Sequence, residues 1–173
     1  SGENPCYDLA LSPDEILRLR TFLVEGRSKY PMVLIDSYWG AYGEPFCPAA
    51  EGLSHHINPT GYIEPCPVIQ LACDRLNGES LKSVYENSQF LKDFKTGISQ
   101  KTKGCVFMED PNWLKDFAVN HSAFNTSNRK DFLEKLANSP KICSHGSCKQ
   151  IPEKNWIYRM AKKRAFFGLG AYG

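Results

Sequence analysis

The first block of periodic apolar positions opens at residue 12. Ser12, Pro13 and Glu15 carry the signature of a helix start: the serine can cap, proline suits the first helical position, and the glutamate completes a capping box. Ile16, Leu17, Leu19, Phe22 and Leu23 then recur at helical spacing with Arg18, Arg20 and Glu25 between them. This predicts a helix to about Gly26 with one stripe against a core. Residues 31–39 read as a strand. Their apolar start, Met32-Val33-Leu34-Ile35, is continuous rather than alternating, as in a parallel strand buried on both faces. A helix leading into such a strand is one unit of an α/β layer, and one unit cannot close a sheet by itself. The chain is therefore expected to be part of something longer, and Ser1-Gly2, with no initiator Met, reads as a junction.

Residues 40–70 change character. Nine Gly and Pro residues, from Gly40 to Pro67, break the backbone into short extended pieces and turns. Ser54-His55-His56-Ile57-Asn58 and Tyr62-Ile63-Glu64 flank Pro59-Thr60-Gly61, a sequence suited to a tight turn with positive φ late in it, so a β-hairpin is expected. His55 and His56, adjacent on its first strand, should point to opposite faces. From residue 78 the pattern turns helical: Leu81, Val84 and Tyr85, then Phe90, Leu91 and Phe94, with Ser80 and Ser88 as caps. Further amphipathic helices are expected at residues 111–121, 128–138 and 152–167. In the last, Trp156, Ile157, Met160 and Phe167 are expected to dock onto the rest, leaving Lys154, Arg159, Lys162, Lys163 and Arg164 as its solvated face.

Composition narrows the function. A chain of 173 residues can bury about 70% of its unfolded surface, so it needs neither disulfides nor a metal merely to fold. A net charge of +2 without a long basic block argues against a nucleic-acid surface. No apolar run approaches the roughly 20 residues of a membrane-spanning helix, and no secretory leader is visible in residues 1–12. Seven cysteines cannot all pair with one another, so a reducing, cytoplasmic setting with thiolate ligands is expected.

Thirteen residues separate Cys47 from Gly61 and four separate Gly61 from Cys66, so two thiols flank the expected hairpin. A soft-metal centre needs thiolates approaching from different directions, and a hairpin with Gly and Pro at its bends allows that. Cys105, after Gly104 and a polar connector, is a third candidate ligand, and Cys73, Cys143 and Cys148 compete for a fourth place.

The run Cys47-Pro48 to Gly52, His56 to Pro67, Ser80-Leu81, and Glu86-Asn87-Ser88 with Phe90-Leu91 resembles the C-terminal auxiliary-cluster region of radical S-adenosylmethionine enzymes. That region is the SPASM domain or its shorter form, the twitch domain. The family pattern of Cys, variable gap, Gly, four residues and Cys is met by Cys47, Gly61 and Cys66. The resemblance is strong over residues 45–95, weaker around Cys105, and silent after about residue 110. It implies an α+β chain: the last β/α unit of a partial (β/α) barrel over residues 1–40, a small β-hairpin iron–sulfur domain over 41–110, and a helical extension over 111–173. It implies an auxiliary four-iron, four-sulfur cluster on Cys47, Cys66 and Cys105, serving electron transfer or substrate anchoring. The fourth position would go to Cys143, Cys148, His55 or His56, or stay open.

No Cys-x-x-x-Cys-x-x-Cys triplet is present. The resemblance therefore implies that the cluster cleaving S-adenosylmethionine, and the site for S-adenosylmethionine itself, lie upstream, and that this chain alone is inactive. An electron donor such as flavodoxin or ferredoxin is the implied partner. Gly43-Glu44-Pro45 is not matched to the family's methionine-binding motif, which follows the triplet within the barrel.

Other readings stay beside this one. Cys143, His145 and Cys148, with Cys47 and Cys66, would suit a structural zinc-binding module that presents the helical tail to a partner protein. Cys73, in an apolar run, is expected to be plain core, and Cys6 to be irrelevant. Asp36 and Tyr38, ending the expected strand, would line a cavity.

Overall fold

The computed structural model describes residues 6–36, 39–102, 104–145 and 149–164 of the chain. Helices and small antiparallel sheets are mixed in an α+β fold. Two compact units are present, one from the described parts of Ser1–Pro48 and Ile142–Gly173, the other from Ala49–Lys141.

The first unit is built on α1 (Pro13–Lys29) and α7 (Trp156–Arg164). The expected capping box forms: the Ser12 amide donates to Glu15 Oε2 at 2.8 Å, and the Glu15 amide donates to Ser12 Oγ at 3.4 Å. The buried stripe of α1 differs from the expected one. It runs through Ile16, Arg20, Val24 and Arg27, whereas Leu19 and Phe22 are exposed. The reason lies in distant carboxylates. Arg27 pairs with Asp36, and its Nη1 donates to Glu153 Oε2 at 2.5 Å; Arg20 reaches the same two carboxylates at 3.4 and 3.5 Å. Lys162 joins from α7, donating to Asp36 Oδ1 at 2.8 Å and to the Trp39 carbonyl at 2.7 Å. Five charged side chains thus share one buried site, where mutual pairing offsets the cost of leaving water.

This cluster also sets the rotation of α7. Lys162 is drawn inward, so Trp156, Ile157 and Met160 are exposed, the reverse of the expected docking face; Phe167 lies outside the described residues. Between the helices, residues 33–36 form no strand, and only an isolated antiparallel bridge joins Trp39 to Pro45; Ser37 and Tyr38 lie outside the described residues. The expected parallel strand is therefore not realised here, because a parallel ladder needs neighbouring strands and every described strand pair is antiparallel.

In the second unit, β1 (His56–Ile57), β2 (Tyr62–Glu64) and β4 (Asp74–Arg75) make one sheet, and β3 (Leu71–Ala72) pairs with β5 (Phe124–Asn125). The helices are α2 (Leu81–Asn87), α3 (Gln89–Ser99), α4 (Val106–Glu109), α5 (Pro111–Asn120) and α6 (Phe132–Ala137). Ser80, Ser88 and Asp110 cap α2, α3 and α5. The core gathers Phe90, Phe94, Ile98, Leu114 and Phe117, with Trp113 stacked on Phe117 at 5.1 Å between ring centres. Ile63 and Leu71 are fully buried and tie the short strands to this unit's interior.

Candidate metal centre

The hairpin forms where the sequence predicts it. Its strands pair His56 with Glu64 and Ile57 with Ile63. Asn58 organises the turn: its Oδ1 accepts from the Thr60 amide, the Thr60 hydroxyl and the Tyr62 amide, at 3.0, 2.8 and 3.0 Å. Gly61 closes the turn at φ +86°, a left-handed conformation that a residue without Cβ adopts at little cost. Pro65 and Cys66 follow directly. Cys66 is only 7% exposed, and its carbonyl accepts from the Ile69 amide at 3.1 Å, which fixes the backbone that carries the thiol.

The two histidines diverge, His56 opening β1 and His55 lying just before it. His55 Nδ1 donates to the Pro65 carbonyl at 3.3 Å while its ring stacks on Tyr85 at 5.2 Å. Because the carbonyl can only accept, Nδ1 carries the proton and Nε2 keeps a lone pair. Burial holds this imidazole below its ordinary range, against the opposing pull of the Pro65 carbonyl, so the neutral form that could ligate a metal is favoured. His56 instead turns to Glu64, with Nδ1 at 2.7 Å from Oε2.

Glu64 is a buried carboxylate with three donors: His56, Asn58 Nδ2 at 3.0 Å and the Thr126 hydroxyl. It ties the hairpin to the loop after β5. Sequence reasoning passed over Glu64, although the cross-strand pairing of His56 with Glu64 follows from the hairpin register itself.

Cys105 is half-buried at the N-cap of α4, where its carbonyl accepts from Met108 and Glu109 at 3.0 and 2.9 Å. Cys47 is half-buried too and belongs to the first unit, whereas Cys66 and Cys105 belong to the second. Cys73 corrects the expectation of a core thiol. It is exposed, donates its S–H to the His121 carbonyl at 3.4 Å, and has its pKa pushed up to about 11 by partial desolvation and then by Asp74. A thiol held protonated at neutral pH is a poor ligand. Cys143 is exposed, His145 sits edge-on to Trp39 at 6.1 Å, and Cys148 lies outside the described residues. The Asp36 side chain is instead buried among Arg20, Arg27 and Lys162.

Three thiols suit an iron–sulfur centre in kind. Among the described residues, however, no three His, Cys, Asp or Glu side chains gather as a group able to hold a metal ion. Thiolate ligation couples metal binding to local ordering, so such ligands need not stand together beforehand. Among the described residues no helix is long and apolar enough to cross a membrane. No protein-family model, curated protein or solved structure matches the chain.

Proposed function

We propose that this chain is the C-terminal part of a radical S-adenosylmethionine enzyme, and that Cys47, Cys66 and Cys105 hold an auxiliary four-iron, four-sulfur cluster. The observation that carries the reading is the hairpin of residues 56–64, with Gly61 in the left-handed region and Cys66 buried just past the second strand. That hairpin, between Cys47 and Cys66, supports the reading. When bound, the cluster supplies one-electron transfer or an open iron that anchors substrate. The residues of this chain bind it through thiolates, and the Glu64 web and the Cys66–Ile69 hydrogen bond hold one ligand's backbone in place.

The partial-barrel reading belongs to the same proposal. Val33 is 70% exposed, with Met32 and Ile35 exposed beside it. The Leu34 amide donates to the Tyr158 hydroxyl and its carbonyl accepts from Arg27 Nε, both at 2.9 Å. Among the described residues, the backbone groups of Val33 and Ile35 make no hydrogen bond. An apolar extended segment satisfied on one side only is how a strand lacking its neighbour looks. On this reading the neighbouring strands, the S-adenosylmethionine site and its own cluster lie upstream in a cytoplasmic enzyme served by flavodoxin or ferredoxin.

The Cys47→Ser/Cys66→Ser double variant tests the ligand assignment. After anaerobic reconstitution it is expected to lose the brown chromophore and nearly all bound iron, while Cys73→Ser keeps both. Full colour in the double variant contradicts the assignment.

A further inference from the structure

Helix α7 reads Trp-Ile-Tyr-Arg-Met-Ala-Lys-Lys-Arg, with four cations and no carboxylate over Trp156–Arg164. Its rotation is fixed from within. Lys162 is anchored to Asp36 and the Trp39 carbonyl, and Tyr158 accepts from the Leu34 amide. Residues 158 and 162 therefore face inward, and Trp156, Arg159, Met160 and Lys163, spaced i, i+3, i+4 and i+7, make one outward stripe. These four line a shallow groove of about 280 Å³.

An exposed Trp and Met in such a stripe are not a by-product of a weakly held helix. Turning α7 to bury them would pull the Lys162 ammonium away from Asp36 Oδ1 and the Trp39 carbonyl and leave it without these partners. The apolar stripe is thus held at the surface, and apolar surface held there marks an interaction site. Trp156 is 64% and Met160 47% exposed. The charge of the stripe selects the partner. Arg159 and Lys163 are paired with no carboxylate among the described residues; the Lys163 ammonium lies 4.5 Å over the exposed Tyr42 ring. Two cations bordering a Trp–Met stripe complement an apolar stripe bordered by acids.

We infer that this face of α7 docks an amphipathic helix of a partner protein, whose apolar residues meet Trp156 and Met160 and whose flanking Asp or Glu side chains meet Arg159 and Lys163. The inference does not depend on the metal-site reading.

The probe is a fluorescein-labelled helical peptide of about 15 residues with Leu and Phe along one stripe and Glu on both borders, titrated with the full chain and followed by anisotropy. The expected result is saturable binding that weakens with salt and falls about tenfold in Trp156→Ala and in Arg159→Ala/Lys163→Ala. These side chains are exposed, so the variants are expected to keep the parent's thermal midpoint. A peptide with Lys in place of Glu should bind Arg159→Glu/Lys163→Glu in preference to the parent. Absence of saturable binding, unchanged affinity in the variants, or equal binding of a Gln-for-Glu peptide overturns the proposal. So does a chain that ignores the peptide yet sediments with phosphatidylglycerol vesicles, which would make the face a lipid contact.

Discussion

Asp36→Ala is expected to destabilise the first unit by about 3–5 kcal/mol, the range for removing one partner from a buried ion pair. Asp36 accepts from Lys162 at 2.8 Å, lies 3.4 Å from Arg20 and pairs with Arg27. Without it, two guanidinium groups and an ammonium remain buried with the single carboxylate of Glu153. The Glu153 carboxylate already takes both Arg27 and Arg20 on Oε2, at 2.5 and 3.5 Å, so one negative charge is left against three positive ones. Asp36→Asn is expected to behave much the same, because it keeps the shape but not the charge. Denaturant unfolding followed by near-ultraviolet dichroism reads the effect, since Trp39 lies against this cluster, with the Arg20 guanidinium 5.4 Å from its ring centre.

The same site gives acid lability with a definite sign. Burial alone would push the Asp36 carboxyl up, but the Lys162 ammonium, with Arg27, outweighs it and holds the group below the ordinary carboxylate range. A depressed folded-state value contributes stability that is fully present above the ordinary aspartate range and is lost as pH falls through the depressed value. Acid unfolding of this unit is expected in that window, and Asp36→Asn should remove this contribution to the pH dependence.

Gly43→Ala is the second large effect, about 3 kcal/mol or more, with left-handed strain and overpacking contributing roughly 1–3 kcal/mol each. Gly43 sits at φ +83°, and a Cβ there would run into the backbone of Ile151. Backbone cannot swing aside as a side-chain tip can. The Ile151 carbonyl is also the acceptor for Arg20 Nε at 3.1 Å and Nη2 at 3.0 Å, so displacing it disturbs the charge cluster as well. Gly78→Ala separates the two terms. Its φ is +87°, but a Cβ there meets nothing within 4 Å, so only the strain of about 1 kcal/mol is expected. Equal losses at the two positions would show that the approach to Ile151 is not what requires glycine at 43.

Features specified by neighbours in sequence were legible. The capping box at Ser12, the Pro59-Thr60-Gly61 turn and the serine caps of α2 and α3 each depend on residues a few positions apart, and each forms. Features specified at long range were not. Periodicity placed α1 and α7 but misjudged which faces they bury, because the carboxylate that draws Lys162 inward lies 126 residues away. For the same reason Arg20, placed between the apolar positions of the expected stripe, is core, and so is Arg27, just past the expected helix end. The strand expected at residues 31–39 depended on neighbours that the described chain does not supply. Cys66 and its hairpin were visible as a motif, whereas the buried Glu64 web required reading the register as well as the spacing.

Whether these thiols hold an iron–sulfur cluster is tested most directly by iron, sulfide and zinc content with a visible spectrum on the anaerobically reconstituted chain. The expected result is brown protein with near-equal iron and sulfide, about four of each per chain, and no zinc. Stoichiometric zinc without iron, or no bound metal at all, would contradict it.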